Sequence, residues 1–351
     1  MRKTRRKLAM QRLVASTLGL LISTFICNSV FAFEVQETCC RDKNRSTIDF
    51  KDNYYYGPII DTHVHFVKSY GIKSNYIIGT YPLPQAVILL PTPSITEDRK
   101  LNNTIKKLHK SSKNIFGLCP TYMTIFNQSD EYYKKEAYLN KLNEIETNLS
   151  QEWCVGIGEI ALRHQIKGDY QPHIKINYSN KAFQDILKIL NKHNSVLDLH
   201  NEPILNNVSH EKMAFDDIEK IAKNYPNIKL ILSHTAMTNP QNLQKLLDIS
   251  PNVYTNFKHT KTKRWASFGL EPIIKKASIY EDWLMFFEKN SKKIMLGSDR
   301  KFMRNFKRVI YGRILDKKIR PLLGTLSKSS AENIGYRNAI KVYNLNPQMF
   351  D

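Results

Sequence analysis

Asp61-Thr62-His63-Val64-His65 closes the apolar run that begins at Ile59, and its period governs how the rest of the chain is read. Successive side chains on a strand point to opposite faces, so His63 and His65 stand side by side on one face, as paired metal ligands must. A lone His-x-His also occurs as two surface histidines. Its meaning depends on whether later segments supply further ligands.

Seven more strand-like apolar runs follow, at 86–90, 115–119, 154–160, 196–200, 229–234, 253–257 and 294–299. Amphipathic stretches lie between them. At 181–192, Phe183, Ile186, Leu187 and Leu190 share one helical face, and 216–223 is stopped by Tyr225-Pro226. The segment 240–247 has Asn239 as N-cap and Pro240 at the first helical position, and helices at 279–287 and 331–343 complete the set. Strands alternating with helices predict parallel pairing through right-handed crossovers, and eight such units predict an α/β protein of the TIM-type (β/α)8 barrel class. An open doubly wound sheet is the alternative. The stretches 126–138 and 163–178 read as loops or lids.

The flanks suggest export. Residues 1–32 combine a basic start (Arg2, Lys3, Arg5, Arg6, Lys7, Arg12), an apolar stretch from Leu13 to Val30 and a small residue, Ala32, before Phe33, the pattern of a signal peptide. Ser16, Thr17, Ser23, Thr24 and Asn28 interrupt the apolar stretch and argue against the alternative, an uncleaved membrane anchor. Residues 33–58 read as a polar N-terminal arm, and 59–351 as one catalytic barrel in which no further segment approaches a membrane span. The expected location is periplasmic or secreted. Removing the leader takes six basic residues and no acid, lowering the formal charge from +21 to +15. The lysines are interleaved with acids along helices, so a solvated surface is favoured over a nucleic-acid groove. Cys39, Cys40, Cys119 and Cys154 permit disulfides in an exported chain, including a staple from the arm to Cys119 or Cys154, and their pairing is left open.

Four later strands each end on a further ligand: Glu159 in Gly158-Glu159, His200 in Asp198-Leu199-His200, His234 in Ser233-His234, and Asp299 in Gly297-Ser298-Asp299. In a parallel barrel all carboxyl ends open on one face, so His63, His65, Glu159, His200, His234 and Asp299 would converge there. Burying four histidines and two carboxylates at one focus is costly unless cations compensate them. Imidazole and carboxylate donors without thiolate suit Zn(II), with Mn(II), Fe(II) or Ni(II) also compatible, and six ligands divide well between two ions.

This ordered set resembles the metal-dependent hydrolases of the amidohydrolase superfamily, over most of the chain beyond the arm. The tail Tyr336-Arg337-Asn338-Ala339-Ile340-Lys341-Val342-Tyr343 resembles the closing helix of the amidohydrolase-related branch, whereas Gly156-Ile157-Gly158-Glu159 is closer to the TatD-like branch. Ala161-Leu162-Arg163 and Ser298-Asp299-Arg300 depart from the TatD-like pattern, and the branch stays open. The resemblance implies that His63, His65 and Asp299 hold one metal, that His200 and His234 hold the second and that Glu159 bridges them. Asp299 would also be the catalytic general base and acid, serving attack by a metal-activated hydroxide. The implied activity is hydrolysis of a small carboxylic ester, lactone or amide. A phosphoesterase or deoxyribonuclease of TatD-like type is the alternative, followed by a mononuclear decarboxylase or a non-catalytic metal-binding protein. Arg163, Lys258 and Arg300, with His164, His259 and Lys301 beside them, follow strands and suggest a cationic mouth for a carboxylate or phosphate of a small-molecule substrate. Nothing in the sequence speaks to oligomeric state.

Overall fold

Each of the eight apolar runs is a strand: β1 (Ile60–Phe66), β2 (Ala86–Leu90), β3 (Ile115–Cys119), β4 (Cys154–His164), β5 (Val196–Asn201), β6 (Lys229–Leu232), β7 (Val253–Phe257) and β8 (Ile294–Leu296). They pair in parallel, in chain order. β2 and β3 are buried at every position, as parallel strands covered on both faces require. The computed structural model describes residues 45–66, 78–79, 82–91, 98–119, 123–165, 174–205, 208–258, 272–302 and 308–350. The leader at 1–32, the arm as far as residue 44, Cys39, Cys40 and His259 lie outside the described residues.

Closure of the ring depends on how the eighth strand ends. After β8 the chain breaks at Gly297-Ser298-Asp299, with Asp299 in the left-handed region at φ 54°, and Arg300–Phe302 then pairs in parallel with β1. The Asp299 N–H donates to the His63 carbonyl at 2.8 Å, and the Gly297 N–H to the Phe257 carbonyl at 3.0 Å, so the same short segment joins β7 to β1. A barrel results, not the open sheet. Gly297 is demanded by close approach: a Cβ there would stand 2.7 Å from His63 Cβ and 2.9 Å from Asn256 Cγ.

Two helices outside the expected set come first, α1 (Asp98–Ser111) and α2 (Glu136–Leu149), and those expected from the apolar period follow as α3 (Lys181–Lys192), α4 (Glu211–Asn224), α5 (Pro240–Asp248) and α6 (Glu281–Lys289). In α5 the Asn239 side chain accepts the Asn242 N–H, which confirms the cap. α4 starts five residues before the apolar period becomes visible. Ile60, Ile88, Phe116, Val196, Ile231 and Met295 of the strands share one buried cluster with Val342, Tyr343 and Leu345 of the tail. Lys229, opening β6, donates to the Val342 carbonyl at 2.8 Å, so the C-terminal segment closes the end of the barrel opposite the ligands. Among the described residues, no helix is long and apolar enough to cross a membrane.

Three expectations change. Residues 46–58, read as part of an arm, belong to the compact unit Ser46–Asp351: Thr47–Asp49 pairs antiparallel with Ser278–Tyr280, and Phe50 and Tyr55 are buried. Cys119 and Cys154 form a disulfide with each other across neighbouring strands, at a Cα separation of 5.7 Å, so neither staples the arm. Arg163 and His164 do not begin a loop, because β4 runs on to His164 and pairs antiparallel with Ile174–Lys175.

Candidate metal centre

Six side chains from five strands and the turns that follow them meet at the carboxyl end of the barrel. The strand period aims His63 and His65 inward together, and their Nε2 atoms stand 3.3 Å apart. Glu159 Oε1 lies 2.7 Å from His200 Nδ1, 3.5 Å from His234 Nε2 and 3.7 Å from His63 Nε2. Glu159 Oε2 lies 3.5 Å from His65 Nε2. Asp299 completes the ring, with Oδ1 at 3.1 Å from His65 Nε2 and Oδ2 at 3.9 Å from His234 Nε2.

Local chemistry explains each placement. Gly158, at φ 149°, lets β4 press against β5, where a Cβ would stand 2.8 Å from Asp198 Cβ, and so brings Glu159 over the barrel axis. His234 lies beyond the end of β6, in a turn whose residues His234 to Ala236 all have positive φ. Its N–H donates to Asn256 Oδ1 at 2.9 Å, which pins that turn.

Period and pattern alone missed the residues that orient the ligands. Asp198 Oδ2 lies 3.3 Å from His63 Nδ1 and accepts from Asn256 Nδ2 at 3.1 Å, while Ser233 Oγ donates to Asp198 Oδ1. His65 Nδ1 lies 3.2 Å from the Pro91 carbonyl oxygen. With a proton on each Nδ1, both Nε2 atoms carry bare lone pairs directed into the centre. Two lone pairs facing at 3.3 Å beside carboxylate oxygens fit a cation between them. Asp198 was within reach of the same reasoning as His63 and His65, since it stands two residues before His200 on one strand face, whereas Glu202 lies just past the end of β5.

Burial and the neighbouring charged groups pull the histidines and carboxylates of the centre in opposite directions. Burial pulls His63 down, but the Asp198 and Glu159 carboxylates more than offset it and raise the ring to about 9. Burial opposes a charge on His200 too, yet Glu159 and Glu202 raise it to about 10. His234 goes the other way, well below 6.5, through burial and the neighbouring Lys258 cation. Burial would raise Asp299, but Lys258 and His234 hold it well below the usual carboxylate range. Burial also pushes Glu202 up, and His164 and His200 bring it down to about 2.

The three expected mouth cations part company. Lys258 is in the centre, its Nζ donating to Asp299 Oδ2 at 2.7 Å. Arg163 is buried, and its Nη1 donates to Asp217 Oδ2 at 2.7 Å and to Asn201 Oδ1 at 2.9 Å. Arg300 sits in the second half of the broken strand, half-buried, where burial lowers its pKa against the pull of Asp299 and Asp61.

No family profile and no curated protein matches the sequence. Solved structures do match. A 2,6-dihydroxybenzoate decarboxylase complexed with 2,6-dihydroxybenzoate is 10% identical at a TM-score of 0.50, with 82% of this chain and 100% of that one covered. A Staphylococcus aureus protein assigned as an amidohydrolase is 12% identical at a TM-score of 0.50, again with 82% and 100% covered. At these identities the likeness is one of fold: the chain shares the α/β barrel of these proteins.

Proposed function

We propose that the protein is an exported, binuclear metal-dependent hydrolase that cleaves a small anionic carboxylic ester, lactone or amide. The observation that carries this reading is Glu159, whose two oxygens lie within 3.7 Å of His63, His65, His200 and His234. A carboxylate surrounded by four imidazoles from three other segments of the barrel is arranged to share itself between two ions. His63, His65 and Asp299 would hold one divalent cation, His200 and His234 the other, with Glu159 common to both. Zn(II) suits these donors, and Mn(II), Fe(II) or Ni(II) are compatible. Cations held there would supply a nucleophile from water near neutral pH and would polarise the substrate oxygen that gains charge.

The remaining work belongs to the chain. Asp299 presents one oxygen to His65 and the other to Lys258, so it is placed to take a proton at Oδ2 and return it to the leaving group. Lys258 is the cation best placed to meet a substrate carboxylate. Asp198 and the Pro91 carbonyl hold the His63 and His65 rings so that proton transfer does not disturb them.

Glu159 also supports a second reading, phosphoester cleavage, because a carboxylate shared by two ions serves in-line displacement equally well. A panel of lactones, amides, aryl esters, phosphodiesters and DNA separates the two, with metal analysis alongside. Near two equivalents per chain and turnover of a carboxylic substrate are expected, with kcat about 10²- to 10⁴-fold lower in Asp299→Asn. One equivalent with release of carbon dioxide from an aromatic acid would instead mark a decarboxylase.

A further inference from the structure

His200 turns Nδ1 to Glu159, and its opposite nitrogen faces a second donor group that the binuclear reading leaves unused. Nε2 lies 2.8 Å from Glu202 Oε1 and 3.1 Å from His164 Nδ1, and His164 Nδ1 lies 2.7 Å from the same Oε1. Two imidazole nitrogens and a carboxylate oxygen thus form a nearly regular triangle. Cis ligands of an octahedral ion bonded at about 2.1 Å stand about 3 Å apart, and two histidines with one carboxylate on one face form a donor set for first-row divalent ions. The Gln165 N–H donates to Glu202 Oε2 at 2.8 Å and fixes the carboxylate with Oε1 toward the rings.

The molecule also shows what a plain orienting carboxylate looks like. Asp198 serves one histidine, His63, and is fully buried. Glu202 differs, because a second imidazole converges on the same oxygen and that ring is partly open, with 28% of the His164 side chain exposed. An ion therefore has a route in and room for water ligands, which a tautomer-setting contact does not need.

We propose that His164 Nδ1, Glu202 Oε1 and His200 Nε2 form a third divalent-cation site beside the first two, for an ion such as Zn(II), Mn(II) or Fe(II). His200 then ligates through both nitrogens as an imidazolate, and its Nε2 proton passes to solvent when the outer ion binds. The assignment of Nδ1 to an inner ion rests on the binuclear reading.

Equilibrium dialysis of the metal-stripped protein against Zn(II), followed by metal analysis, tests the site, with circular dichroism as the control for folding. Three equivalents are expected in the wild type and two in His164→Ala. Glu202→Gln, which keeps the shape but not the charge, is expected to lose the same ion. Two equivalents in both wild type and His164→Ala overturn the outer site and leave the binuclear reading standing, and so would three in both, which puts the extra ion elsewhere. One equivalent that His164→Ala abolishes supports the outer site and defeats the binuclear reading. None in either protein defeats both.

Discussion

At the scale of the residue, the donor types alone do not separate a ligand from the group that steers it. Asp198 and Glu159 are both buried carboxylates beside His63, yet Asp198 contacts the outward-facing Nδ1 and Glu159 the inward-facing Nε2. Asp198→Asn should therefore leave the ligand count intact while allowing the wrong tautomer at His63. A 10- to 100-fold loss of affinity for one ion is expected, read as faster metal loss to a chelator, with the other ion retained. Equal loss of both ions would remove Asp198 from that role. Lys258→Met should raise KM for an anionic substrate about 10- to 100-fold, the weight of one charge-assisted hydrogen bond, with little change in KM for a neutral analogue, whereas any loss of kcat through Asp299 falls on both substrates. An unchanged ratio between the two substrates would sink Lys258 as the anion contact.

At the scale of the element, the break in the eighth strand is the feature on which the site turns. Asp61 Oδ1 accepts the Ser298 N–H at 2.8 Å, and Asp61 Oδ2 accepts from the buried Tyr311 hydroxyl at 2.5 Å, so the first strand and the C-terminal helices together hold the break that presents Asp299. In Gly297→Ala the new methyl meets His63 Cβ and the Asn256 side chain, and the strands must part. We expect a loss of about 1–3 kcal/mol in denaturant unfolding together with lower metal occupancy, since the same shift moves His63. Normal stability with normal occupancy would show that the break tolerates side chains. Both ends of this device were visible in the motifs Asp61-Thr62-His63-Val64-His65 and Gly297-Ser298-Asp299, but the tie between them runs across 237 residues and has no local signature.

At the scale of the whole molecule, the site couples metal to stability with a definite sign. His63 and His200 titrate at about 9 and about 10 in the cation-free fold, above the ordinary value of 6.5. Their protonation favours the folded state fully below about pH 6.5, and that contribution disappears as pH rises through 9 and 10. Bound cations take the place of those protons, so metal affinity should increase over the same window. The Tm of chelator-treated protein is expected to fall between pH 6.5 and 10, and the gap to metal-loaded protein to widen. A cation-free Tm that is flat over this range would contradict the charge balance described for the centre.

What the sequence by itself determined was the alternation of eight apolar strands with amphipathic helices and the six metal-seeking side chains at their ends. Continuous apolar strand runs, the alternation of side chains along a strand and helical periodicity are local, and the cost of burying unpaired polar groups makes a histidine at a strand end informative wherever it occurs. Tertiary structure alone decided which ring nitrogen faces which carboxylate, that Arg163 is spent on Asp217 while Lys258 reaches Asp299, that Cys119 pairs with Cys154, and that residues 46–58 belong to the body. Each of these depends on the distance between groups far apart in the chain. The orientation of a ring or an ion pair is set by those distances, and a pattern read along one strand does not contain them.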